Sequence, residues 1–171
     1  MGRLPEELLL HILSYLSPVD LIYNIRHVSH RYLHLSDEVA STQHIPNFSI
    51  GLNFTLSSGS HHRWYDVRGT ITTTFRHISK THPQYALFEV TDVLPKANQA
   101  RVTEKWKQLS AQGFGVGQEW RVTFRGNGLL MKLPNLVLSA DDGIWCDWRE
   151  MLRGYIRRLP EAWEGVARPP M

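Results

Sequence analysis

LPEELLLHILSYLSPVDLIYNIRHVSHRYLHLSD, residues Leu4 to Asp37, is the most legible stretch of this chain. Pro5 marks a helix start, where a missing N–H is no loss, and Glu6-Glu7 fill a first turn that favours negative charge. Leu8, Leu9, Ile12, Leu13 and Leu16 recur at spacings of three and four, which predicts a helix with a wide apolar stripe. Ser17-Pro18 then restarts the chain: serine is a good N-cap, proline a good first position, and Asp20 sits in the next first turn. Leu21, Ile22 and Ile25 extend the pattern, and Val28, Tyr32 and Leu35 open a third helical run. Three helices this short cannot bury their apolar faces against one another alone. They need the rest of the chain or a second protein.

Working outward, composition sets the limits. The chain has 171 residues, 42% hydrophobic and 20% charged, which fits a globular protein. No apolar run approaches the ~18–20 residues that span a bilayer. The N-terminus lacks the basic, long-apolar, small-residue order of a signal peptide. A protein of the cytoplasm and/or nucleus is expected, with no membrane partner. Cys146 is the only cysteine, so neither an internal disulfide nor a cysteine zinc site is available. The net charge of +3 is uneven. Residues 101–132 carry six basic groups against two acids, while 1–47 carry three against five. So mild a bias reads as a solvated surface rather than a nucleic-acid footprint.

The opening stretch resembles an F-box. Leu4-Pro5-x-Glu7-Leu8 resembles that family's LPxEL opening. Ile12-Leu13-Ser14-Tyr15-Leu16 resembles its I-x-x-Y-L core, and Ser17-Pro18-x-Asp20-Leu21 its next helix start. Val28-Ser29-His30-Arg31-Tyr32 resembles its V-[CS]-[RK]-x-W close, with Tyr32 for the commoner tryptophan and His30 at a position where a basic residue is frequent. The resemblance covers about 40 residues. It implies a three-helix hook that binds a Skp-family adaptor and, through it, the cullin scaffold of a ubiquitin ligase. The adaptor contacts it implies are Leu4, Pro5, Leu8, Ile12, Leu16, Leu21, Val28 and Tyr32. It also implies a non-catalytic subunit that delivers a client for ubiquitination and proteasomal degradation.

Beyond the hook, 41–47 reads as a polar linker ending in Ile45-Pro46-Asn47, and 48–171 as a second domain. Residues 1–40 are then the F-box. From Phe48 the period changes to two. Phe48 to Leu56 and Tyr65 to Phe75 alternate, Tyr85 to Val93 is apolar on both parities, and Trp120, Val122 and Phe124 alternate again. Asn127-Gly128 reads as a tight turn, and Leu136 to Leu138 as a short strand. Asn98 to Gln112 and Asp147 to Leu159 read as helices, the second with Asp147 and Glu150 at capping-box spacing. The expected fold class is α+β: an N-terminal three-helix F-box, then an antiparallel-sheet domain with two helices.

No catalytic or metal-ligating set emerges from the second region, and no cofactor is expected. Gly113-x-Gly115-x-Gly117 follows a helix and precedes a strand, the reverse of a dinucleotide loop. His61, His62, His77 and His82 lack the partners a metal needs. Asp141-Asp142-Gly143 lacks the other positions of a calcium loop. Ser110 and Cys146 sit in no nucleophile signature, and Cys146 reads as a small buried hydrophobe. Trp106, Trp120 and Trp148 lie on apolar stripes and read as core. Trp64 and Trp163 lie off any stripe and are the expected client contacts. Beside client delivery stands the alternative that 48–171 binds a small ligand or nucleic acid and is only tethered to the F-box.

Overall fold

A computed structural model of the chain describes residues 4–56, 67–113, 118–139 and 143–158. Their order is three helices, a run of strands, a helix, further strands and a last helix, so the fold is α+β. The chain divides into two compact units, one of Met1–Pro46 with Leu152–Met171, the other of Asn47–Met151.

The first unit contains the hook: α1 (Glu6–Leu13), α2 (Pro18–Tyr23) and α3 (His30–Val39), with a 3-10 turn at Ile25–His27. Pro5 is the N-cap of α1, one residue before the helix proper. Ser17 caps α2 as its sequence position implies, accepting from the Asp20 N–H at 3.1 Å. Ser29 accepts from the Tyr32 N–H and starts α3. Leu9, Leu13, Leu21, Leu35 and Val39 make the core, with Leu10, Leu16, Ile25 and Tyr32 packed against it. Arg26 Nε lies 3.3 Å from Asp37 Oδ1 in a largely buried pair that ties the 3-10 turn to α3.

Residues 41–47, expected as a linker, are helical. Ala40–His44 form a π turn and Ile45–Asn47 a 3-10 turn, with Ala40, His44 and Ile45 buried. The polar residues there belong to the helix. The hydroxyls of Ser41 and Thr42 both donate to the Glu38 carbonyl, at 2.9 and 2.8 Å. Such back-bonding satisfies a hydroxyl without leaving the helix.

The second unit is a seven-stranded sheet with every pairing antiparallel, in the order β5-β4-β1-β2-β3-β7-β6. The strands are β1 (Phe48–Leu56), β2 (Val67–Ile78), β3 (Tyr85–Leu94), β4 (Glu119–Phe124), β5 (Asn127–Lys132), β6 (Val137–Ser139) and β7 (Gly143–Asp147). The long alternating segments are strands as their period of two requires. Phe48, Ile50, Leu52, Phe54 and Leu56 all turn to the buried face, with Trp120, Val122 and Phe124 beside them. Helix α4 (Gln99–Ala111) puts Val102, Trp106 and Leu109 into this core. It packs closely over Gly69, where a Cβ would lie 3.3 Å from Val102 and 2.9 Å from the Phe54 ring.

Two expectations about this sheet need correction. The β4–β5 turn is Arg125-Gly126, both at positive φ (46° and 89°), and Asn127 already pairs with Phe124. Positive φ at both central residues is the I′ geometry that fits strand twist. A turn at Asn127-Gly128 would move the turn by two residues and the register by four. It would set Trp120 against Asn135 instead of Met131, and it would draw Pro134, which has no N–H to donate, into the ladder. The second correction is β7, which the sequence reading lacks. Gly143 opens it and Cys146 lies within it, not at a helix start.

Helix α5 (Trp148–Arg157) follows β7 directly. Asp147 Oδ1 accepts from the N–H groups of Arg149 and Glu150, so the expected aspartate cap is present. Trp148 is buried and its indole N–H donates to the Pro83 carbonyl at 2.9 Å. Trp106 and Trp120 are buried with their rings edge to face. No helix among the described residues is long and apolar enough to cross a membrane.

Candidate docking surface on the helical hook

Helix α1 and the turn that follows it carry two apolar stripes, one residue out of phase. Leu9, Leu13 and Leu16 turn inward: the first two are buried and the third packs on the core. Leu8, Ile12 and Tyr15 repeat the same spacing one position earlier and are exposed, Tyr15 at 77%. One step along a helix is a rotation of about 100°, so the two sets cannot share a face. The inner stripe holds the hook together, and the outer one is left on its surface.

The start of α1 is held from α3. An Arg31 Nη donates to the Leu4 carbonyl at 2.8 Å, and its Nε lies 3.5 Å from a Glu6 carboxylate oxygen. This tether fixes the Leu4-Pro5 opening beside the first turn of α3. Leu4, Pro5 and Val28 are all exposed. Tyr15 in turn stacks edge to face on His11, with 5.2 Å between ring centroids.

Of the eight residues the resemblance implies as contacts, Leu4, Pro5, Leu8, Ile12 and Val28 are exposed. Leu16 and Tyr32 are half-buried and lean on the hook's core. Leu21 is 0% exposed and has no surface to offer a partner, since its side chain fills the core. Tyr15 and Arg31 belong to the surface and its support although neither stands among those eight. Tyr15 was visible as the next step of the Leu8–Ile12 spacing. Arg31 was not, because its partner Leu4 is 27 residues away. Trp64 and Trp163, the expected client contacts, lie outside the described residues, as do His61, His62, Gly115, Gly117, Asp141 and Asp142.

The nucleophile candidates of the sheet unit are each engaged with a neighbour. The Ser110 hydroxyl donates to the Trp106 carbonyl at 2.8 Å, an ordinary helix back-bond. Cys146 is fully buried, its Sγ 3.9 Å from the Met151 sulfur. Burial, reinforced by the nearby Asp147 charge, pushes its thiol well above the ordinary cysteine range. A thiol kept protonated is a poor nucleophile. In the folded protein at pH 8, iodoacetamide is therefore expected to label Cys146 at least about 100-fold more slowly than in urea. Comparable rates measured by intact mass would mean that β7 opens readily. His77 and His82 are exposed. Among the described residues no group of three or more His, Cys, Asp or Glu side chains is placed to hold a metal ion.

Comparison with curated proteins and with solved structures finds no match to the chain. A family model does match at the N-terminus: residues 1–40, the hook with its outward Leu8–Ile12–Tyr15 stripe, match the family described as F-box-like.

Proposed function

We propose that the chain is a non-catalytic substrate adaptor of a Skp–cullin–F-box ubiquitin ligase, working in the cytoplasm or nucleus. The hook docks to a Skp-family adaptor, which joins it to the cullin, and the sheet unit holds a client for ubiquitination and proteasomal degradation. The observation that carries this is the doubled stripe on α1. Exposed aliphatic side chains at regular spacing on a surface helix lose nothing by being polar unless something covers them. Leu8 and Ile12 are each about half exposed, next to an inner stripe that already completes the core. An apolar ridge on a tethered helix is the form a helix-in-groove contact takes. Leu4, Pro5, Leu8, Ile12 and Val28 are its contact residues, with Leu16 and Tyr32 supporting from the flank.

Mixing the purified full chain with a purified Skp-family adaptor tests this. The expected result is a stable equimolar complex on size exclusion. Separate elution of the two at tens of micromolar would overturn the docking assignment.

A further inference from the structure

Helix α4 packs on one face of the sheet. The other bears Ser49, Gly51, Thr70, Thr72, Thr74 and Thr123 over its middle strands, small polar groups suited to water. Toward the β6 edge its character changes. Directly paired residues of an antiparallel sheet project to the same side. His77 of β2 pairs with Leu87 of β3, Leu87 with Trp145 of β7, and Trp145 with Val137 of β6. The four therefore form one row across four strands. His77 meets the Trp145 ring edge to face at 5.6 Å, and Val137 is 54% exposed.

The row ends in a shallow cavity of about 260 Å³ lined by Ser79, His82, Tyr85, Val137 and Trp145, almost wholly by their apolar atoms. That volume lies below the ~300–1,000 Å³ of ordinary small-molecule sites. It suits one side chain. The turn that forms its rim is well fixed: the His82 N–H donates to the Ser79 hydroxyl, the Tyr85 N–H to the His82 carbonyl and the Ser79 N–H to the Tyr85 carbonyl.

Charge selects the occupant. Arg76 is matched by Glu89, 3.5 Å away, and Asp147, which pairs with Tyr85, accepts from the N–H groups at the start of α5, whose positive end offsets part of its charge. Lys80, next in the chain to the pocket-lining Ser79, has no acidic partner among the described residues. An apolar socket beside an unmatched lysine fits an apolar side chain with acids beside it. We propose that this pocket holds the apolar anchor of an acidic, extended peptide segment of the client, between Trp145, Tyr85 and Val137, with the flanking carboxylates against Lys80. This rests on reading the sheet unit as the client-holding part.

The test uses the full chain and fluorescein-labelled decapeptides in a polarisation assay. The panel has a central leucine, phenylalanine, tryptophan or proline flanked by aspartate and glutamate. It also has the same centres flanked by lysine, and an acidic peptide with a central glycine. At least one acidic anchored peptide is expected to bind about tenfold tighter than both its lysine-flanked and its glycine counterpart. Trp145→Ala should weaken that binding about tenfold. Lys80→Glu, at an exposed turn where folding is not at risk, should remove the preference for acidic flanks. No binding up to about 1 mM, equal binding of all peptides or a preference for lysine flanks would each overturn the proposal. So would self-association of the peptide-free chain that Val137→Glu abolishes, since the face would then belong to a second copy. No adaptor is present in the assay, so its failure leaves the hook's docking to be judged by its own experiment.

Discussion

The double variant Leu8→Glu, Ile12→Lys should lose Skp-family adaptor capture by about 100-fold or more while melting within a degree or two of the parent chain. Both side chains are about half exposed, so their replacement removes little buried surface. Glutamate suits the N-terminal half of α1, and lysine four residues later forms the favourable i,i+4 pair, worth about 0.3 kcal/mol to the helix. Folding is therefore protected while the outer stripe acquires two charges. In an apolar groove each charge must shed water without a partner, which costs several kcal/mol. The control is Leu13→Ala, one stripe over. Leu13 is buried in the hook core, so its truncation should cost about 2–5 kcal/mol of stability. Binding is then lost only in proportion to unfolding. If the double variant keeps its melting temperature and its adaptor, the outer stripe is not the docking surface.

The contrast between Leu8 and Leu13 also shows what the sequence can carry. Both stripes of α1 are written in consecutive letters, so the helix and its apolar width are legible. Which stripe meets the hook's own core depends on where α3 lies, and that is set by contacts such as Arg31 to Leu4 across 27 positions. Leu21, among the contacts the resemblance implies, fills the hook's core for the same reason. In the sheet, nine- and twelve-residue strands display their period, whereas the five residues of Gly143–Asp147 are too few to do so beside an aspartate-glycine turn signal. The turn at Arg125-Gly126 was hidden by the stronger Asn127-Gly128 signal two residues on, and only the pairing of Trp120 with Met131 decides between them. The His77–Leu87–Trp145–Val137 row could not be read at all. Each strand supplies one residue, and β6 precedes β7 in the chain although it lies outside it in the sheet.

Gly143→Ala should be the most damaging single methyl in the sheet unit, at about 3 kcal/mol or more, or roughly 6–12 °C in melting temperature. Its φ of +116° is a backbone state that L side chains rarely adopt, which alone costs about 1–3 kcal/mol. A Cβ there would also stand 2.3 Å from the Phe88 carbonyl oxygen and 3.2 Å from Glu89 Cα. Both are backbone atoms of β3, so no rotamer change relieves the contact, and β7 must draw away from β3 instead. Ile144 pairs with Phe88 at this end, and the same strand joins β6 to the sheet. Strand β7 also runs straight into α5, whose first residue is anchored to the β2–β3 turn through the Trp148 N–H to the Gln84 carbonyl. The matched control is Gly126→Ala. Gly126 also has positive φ, but open space surrounds the missing Cβ, so only the dihedral cost applies, about 1 kcal/mol. Urea denaturation of the two variants separates strain from collision: Gly143→Ala must exceed Gly126→Ala by at least about 2 kcal/mol. Equal losses would mean that β7 does not sit against β3 at Phe88.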